Sequence, residues 1–267
     1  MKGQRVFTAG HSFHVWIVSI LDEIAKSAGI NDHRALGESS IGGSSVMQHW
    51  TVPDLENKAK ASLIVGEVDV LTLSPIWVPD GGIEKFAMLG LQHNWDIRIT
   101  VQEFWLPNDI YNPVYPLDTG KCVDHNATPI VELKRWHFLY FRDMDHYISD
   151  LNAKLGKDVL FIVPVGQAVL ALREKILSGV VPGLKTQAEL FTDSWGHPTE
   201  PIQVLATYCH FILIYHCSPI GLPVPKVLMN GKIPPEDISA VNLLLQELAW
   251  DAVIQHPLSG VLPPHST

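Results

Sequence analysis

Positive charge, cysteine and long apolar runs are all scarce in this chain. Lysine and arginine number 19 against 28 aspartate and glutamate, for a net charge of −9. A surface of that sign is unsuited to the phosphate backbone of nucleic acid or to anionic membranes. There are three cysteines, Cys122, Cys209 and Cys217. An odd count excludes a complete disulfide framework, and no CxxC or Cys/His spacing suits zinc. Cys209 and Cys217 fall in an apolar stretch with helical character and are expected to be buried thiols. No stretch is apolar for the length a transmembrane helix needs. Phe211 to Tyr215 is apolar, but His210 and His216 flank it closely and it reads as a core helix. The turn Gly42-Gly43-Ser44-Ser45 has no lysine after it and no GxGxxG pattern, so it is a poor phosphate cradle, and no cofactor is expected. Met1 to Arg5 lead straight into the first strand without a leader-like apolar segment. The expectation is an intracellular protein, or a secreted one whose leader lies outside this sequence.

What is present is apolar side chains in ordered patterns. Of 267 residues, 46% are hydrophobic and 18% charged, enough for a sizeable core, and residues 1–267 are expected to form one domain. Arg5 to Ala9 reads as a strand, and 13 to 28 as a helix with Trp16, Ile17, Ile20, Leu21 and Ile24 on one face and Gly29 at its end. A weaker strand follows over 33 to 40, then the glycine turn, and a helix from Pro53 to about Val65. Val68 to Leu73 is a buried-type strand, 81 to 93 a helix and Ile97 to Phe104 a strand. Residues 105 to 128 form a long loop with three prolines; loops of this length often carry function. A helix over 129 to 154, a strand over Val159 to Val163 and a helix over 166 to 178 complete the alternation. Helices at 199 to 216 and 236 to 254 follow, joined by a Pro/Gly-rich connector from about 218. Five alternations of strand and helix mean an α/β fold with a parallel sheet covered on both faces. Ligands of such sheets bind beyond the carboxyl ends of the strands. Ser12, Gly43, Ser74, Gln102 and Gln167 all sit at or just after strand ends.

Ser12 stands out among these. It lies in Gly10-His11-Ser12-Phe13, on the turn from the first strand into the first helix. Serine there commonly caps the helix. A serine at a helix N-terminus can also be a nucleophile whose own N–H stabilises the oxyanion it creates. Asp193-Ser194-Trp195-Gly196-His197-Pro198, far downstream, can supply the acid and base that the second reading needs.

These blocks resemble the SGNH/GDSL hydrolases: Gly10 to Phe13 first, Ile41-Gly42-Gly43-Ser44 second, and Asp193 to Pro198 last. The stretch Leu205, Tyr208, Tyr215 and Ser218 to Leu222 is also similar to the family. The resemblance implies a three-layer, flavodoxin-like fold with a five-stranded parallel sheet, and ester hydrolysis through an acyl-serine. It implies Ser12 as nucleophile, His197 as base, Asp193 orienting the imidazole, and the N–H groups of Ser12 and Gly43 as the oxyanion hole. The substrate it implies is a small ester, such as an O-acetyl group on a carbohydrate. A short-chain lipase or arylesterase, and a silent glycan-binding protein, are the alternatives.

Two departures bear on this. Where the family has Gly-x-Asn-Asp after the third strand, this chain has Ser74-Pro75-Ile76-Trp77; either Ser74 or Gln102 replaces the asparagine, or the hole has two donors. Three residues separate Asp193 from His197 instead of two, so Asp193 either completes a triad or caps the helix that follows, with the histidine working as a dyad. His11, His49, Trp77, Gln102, Trp105 and Trp195 are the expected substrate-side residues, with the tryptophans as sugar-stacking platforms. His49 is as readily a structural histidine. No metal is expected: His11, His14 and His49 more readily shape a pocket than hold an ion. The remaining histidines, His125 and His137 among them, read as surface or packing residues.

Overall fold

The structure, a computed structural model, describes residues 1–114 and 123–262. Cys122 lies outside the described residues. By its internal contacts the chain divides into two compact units: Met1–Glu103 with Arg142–Val163, and Phe104–Phe141 with Pro164 onward.

The first unit carries the sheet. Strands β1 (Arg5–Gly10), β2 (Arg34–Ser40), β3 (Val70–Leu73), β4 (Arg98–Glu103) and β5 (Leu160–Pro164) lie in the order β2-β1-β3-β4-β5. The β1–β2, β1–β3 and β3–β4 pairs are parallel. This is the flavodoxin-like order, with its switch point between β1 and β3. All four residues of β3 are buried, whereas β2 is a half-exposed edge; this is why β3 reads clearly in sequence and β2 weakly. Helix α1 (Ile17–Ser27) connects β1 to β2, and helices α2 (Val46–Thr51) and α3 (Lys58–Ile64) connect β2 to β3 in the opposite direction. Right-handed crossovers therefore put α1 on one face and α2 and α3 on the other. Helix α4 (Gly81–His93), between β3 and β4, packs against both α2 and α3.

Two helix boundaries differ from the sequence expectation. The helix expected from 13 begins at Ile17. The Ser12 carbonyl accepts from Trp16 Nε1 (2.9 Å) and the Phe13 carbonyl from Gln102 Nε2 (2.9 Å). Side chains thus take up the first ladder acceptors, and Ser12 sits in a run of turns instead of capping α1. The helix expected from Pro53 is instead two short ones. Ser45 starts α2 with a capping box to Gln48, and Asn57 starts α3 by accepting from Lys60 N–H. Asp80 then joins α2 to α4: its carboxylate accepts from Val46 (2.6 Å), Met47 (2.9 Å) and Gly82 (3.0 Å) N–H.

In the second unit, α6 (Val165–Leu177), α7 (Glu200–Tyr215) and α9 (Ile238–Gln255) pack on one another, with α8 (Lys226–Met229) against α7 and α9. Helix α5 (Ile130–Leu155) contributes its first half here and its second half to the first unit. Every residue of α7 from Val204 to Tyr215 is buried, as an all-round apolar helix requires. Cys209 lies inside it, but Cys217 falls beyond its end and is half-buried; burial pushes that thiol upward. The helix stops at His216, which adopts φ +52°.

Candidate active site

The Ser12 turn belongs to the first unit and the Asp193–His197 loop to the second. Ser12 is half-buried in a turn that starts at His11, whose carbonyl accepts from the N–H groups of His14 (2.9 Å) and Val15 (3.1 Å). His11 Nδ1 accepts from Phe13 N–H at 3.3 Å, so the neutral ring carries its proton on Nε2, which lies 3.2 Å from Ser74 Oγ. Beneath the turn, buried polar groups form a chain. Gln102 Oε1 lies 2.9 Å from His14 Nδ1, and Thr72 Oγ1 lies 3.0 Å from His14 Nε2 and 3.1 Å from Thr8 Oγ1. Burial, against the Gln102 bond, drives His14 down to about 4, so it is a neutral structural bridge at pH 7. Gly10 leaves room for it: a Cβ there would stand 2.7 Å from His14 Cδ2.

The glycine turn is braced in a similar way. His49 is buried between Ser39 Oγ (2.8 Å) and Ser44 Oγ (2.7 Å), and burial lowers it to about 4. Gly43, at φ +58°, is exposed at the tip.

The Asp193–His197 loop folds around its own carboxylate. Asp193 Oδ1 accepts from the N–H groups of Trp195 (3.0 Å), Gly196 (3.1 Å) and His197 (3.1 Å). Asp193 Oδ2 lies 2.6 Å from His197 Nδ1. Burial pulls this carboxyl upward, but the His197 N–H and imidazole together pull harder, and it stays below the usual carboxylate range. The three intervening residues let one carboxylate oxygen cap the turn while the other holds the ring. Asp193 does not cap helix α7, whose N-cap is Thr199; the same carboxylate caps its own turn and holds the ring. With Nδ1–H given to Asp193, Nε2 is the nitrogen able to accept a proton. Thr192 N–H closes the loop on the His197 carbonyl at 2.8 Å, beside a bridge from Phe191 to Pro198.

Four expected substrate-side residues are enclosed. His11, His49, Gln102 and Trp105 are 3%, 1%, 0% and 1% exposed. In this structure they brace turns and loops instead of offering faces to a ligand. Trp77 is also buried, and Trp195 is the half-buried one of the six. Trp105 Nε1 donates to the Gly196 carbonyl at 2.8 Å. Ser74 is fully buried, so neither it nor Gln102 presents a donor at a surface.

The second unit also holds a buried cluster that sequence reasoning missed. Asp109 takes two bonds from Arg173, at 2.6 and 3.0 Å, and faces His125 Nδ1 at 3.2 Å. Burial pushes Asp109 upward, but His125 and Arg173 outweigh it and bring it down to about 2. A lone arginine inside the apolar pattern of α6 is the one available clue, since such a charge needs a partner. Among the described residues, no group of His, Cys, Asp and Glu could hold a metal ion, and no helix is long and apolar enough to cross a membrane.

No family model and no curated protein matches the chain. Three solved structures are similar to it. A protein assigned as an SGNH hydrolase from Slackia heliotrinireducens is 15% identical, covers 78% of this chain and 97% of its own, and gives a TM-score of 0.44. A protein assigned as a GDSL-like lipase from Parabacteroides merdae is 11% identical, covers 79% and 95%, and gives 0.46. WcbI, a polysaccharide biosynthesis enzyme, is 11% identical, covers 83% and 73%, and gives 0.40. At these identities the likeness is one of general architecture, and the chemistry rests on the chain's own residues.

Proposed function

We propose that the protein is a serine esterase acting on small esters, with an O-acetylated carbohydrate as the substrate class. The observation that carries this reading is the Asp193–His197 pair, a carboxylate 2.6 Å from Nδ1 with its other oxygen fixed by three backbone N–H groups. That arrangement sets the tautomer a general base needs before any substrate arrives. In the reaction, Ser12 Oγ attacks the ester carbonyl carbon while His197 Nε2 takes the serine proton. His197 then gives that proton to the departing alcohol. Water, deprotonated by the same imidazole, next attacks the acyl-serine and releases the acid. The N–H groups of Ser12 and Gly43 stabilise the oxyanion. Without a third donor from Ser74 or Gln102, turnover is slower by roughly 10²–10³ than for a site with that donor. Trp195, half-buried and two residues from His197, supplies an apolar face suited to a sugar ring.

The test is hydrolysis of 4-nitrophenyl acetate and of an O-acetylated oligosaccharide by the wild type, Ser12→Ala and His197→Ala. The expected result is activity in the wild type and its loss in both variants, with a serine-directed fluorophosphonate labelling the wild type alone. Equal turnover in Ser12→Ala removes the nucleophile. Binding of the oligosaccharide without turnover in the wild type replaces the esterase with a glycan-binding protein.

A further inference from the structure

Three carbonyls of the loop that presents His197 each take a donor from elsewhere in the second unit, and that of Asp193 also accepts from Gly196 N–H within the loop at 3.2 Å. Trp105 Nε1 holds the Gly196 carbonyl at 2.8 Å, Asn108 N–H holds that of Trp195 at 3.3 Å, and His125 Nε2 holds that of Asp193 at 3.1 Å. A carbonyl only accepts, so His125 Nε2 carries a proton. The His125 ring stands 4.2 Å from the Phe191 ring, at the start of the same loop. Its other nitrogen faces Asp109 Oδ2 at 3.2 Å, and Arg173 grips both Asp109 oxygens, the His125 carbonyl (3.0 Å) and Gln187 Oε1 (2.7 Å). His125, Asp109 and Arg173 are 4%, 2% and 1% exposed.

This construction is expensive. Buried ion pairs lose much of their attraction to desolvation, and apolar packing of the same shape often stabilises as well or better. The backbone is strained at the same point: Asn108 and Asp109, neither of them glycine, both adopt positive φ, +54° and +56°. What the cluster does that apolar packing cannot is aim a hydrogen-bond donor at the backbone of Asp193. We propose that His125, held through its carbonyl by Arg173 and set beside Asp109, is a positioning residue: it helps fix the Asp193 main chain so that the carboxylate stays aligned with His197 Nδ1.

The inference rests on the esterase reading for its kinetic consequence but not for its structural one, and two readouts keep them apart. The first is the ¹⁵N spectrum of the His197 imidazole, which reports the tautomer without any turnover. In the wild type it should show a single Nδ1–H form. In His125→Phe, which keeps a ring against Phe191 but loses the donor, it should show a mixture of tautomers. His125→Gln, which can still donate, should restore the single form. The second readout is kcat on 4-nitrophenyl acetate, which should fall about ten- to hundredfold in His125→Phe with KM unchanged, the size expected for a misaligned catalytic group. A folded His125→Phe with wild-type tautomer and wild-type kcat overturns the proposal. If the wild type hydrolyses no ester, the esterase reading fails and the tautomer still decides this one. If His125→Phe does not fold, the scalar coupling across the hydrogen bond from His125 Nε2 to the Asp193 carbonyl is measured in the wild type, and its absence overturns the proposal.

Discussion

The Asp193 carboxylate spends one oxygen on three backbone N–H groups and the other on an imidazole. Asp193→Asn tests which of these matters for rate. The amide oxygen can keep capping the turn, but an amide NH₂ facing Nδ1 favours the wrong tautomer. The expected outcome is a large loss of kcat, on the order of 10⁴ by analogy with other triads, with a melting temperature close to wild type. A second prediction concerns Asp109. Its carboxyl is lowered from an ordinary 3.8 to about 2, so the stability it contributes is present above 3.8 and is lost as the pH falls through about 2. Asp109→Asn leaves Arg173 unpaired in the interior and should cost about 3–5 kcal/mol at pH 7. Urea unfolding of both proteins should show that gap closing toward pH 2; a constant gap would mean that the Asp109 charge is not the stabilising group. Single residues of this kind are what the sequence concealed. Asp109 and Arg173 are 64 positions apart, and nothing local marks them as partners. Asp193 and His197 are near neighbours in sequence, and their pairing was visible.

Elements were more legible than residues, because periodicity is a local property. β3, α4, α7 and α9 fall within a few residues of their expected bounds. At the start of α1 the error arose where a distant side chain took over a local acceptor. No pattern in residues 12 to 17 shows that Gln102, on β4, claims the Phe13 carbonyl. The loop at 193–197 depends on a different local feature, the +93° φ of Gly196. A Cβ there would also stand 3.4 Å from Trp105 Nε1. Gly196→Ala is therefore expected to cost about 1–3 kcal/mol through backbone strain and to lower kcat more than it raises KM. Thermal melts and steady-state kinetics on the same preparation check both. An unchanged melting temperature would show that the loop relaxes to a conformation alanine accepts.

Across the whole molecule, the chain passes between its two compact units after Glu103, after Phe141 and after Val163. The second of these crossings lies inside the continuous helix α5. Neither unit is therefore made of one uninterrupted stretch, and the expectation is a single cooperative unfolding transition. Tryptophan fluorescence and far-ultraviolet circular dichroism should give coincident urea curves; separated midpoints would show that the units unfold one at a time. The sequence suggested a single domain, and its alternating pattern gave no sign of this interleaving, because a strand–helix repeat looks the same whichever unit each segment joins.

The same interleaving has a consequence during synthesis. Residues up to Glu103 contain four of the five strands, but β5 emerges only after α5. Translation at roughly 5–20 residues per second leaves the nascent sheet without its last strand for several seconds. Throughout that interval β4, with Ile99 and Val101 fully buried in the finished protein, presents an unpaired edge of the kind that recruits other strands. A chain released before Val159 is thus an aggregation hazard, and the interval between β4 and β5 is the point in its biogenesis at which a chaperone would have most to protect.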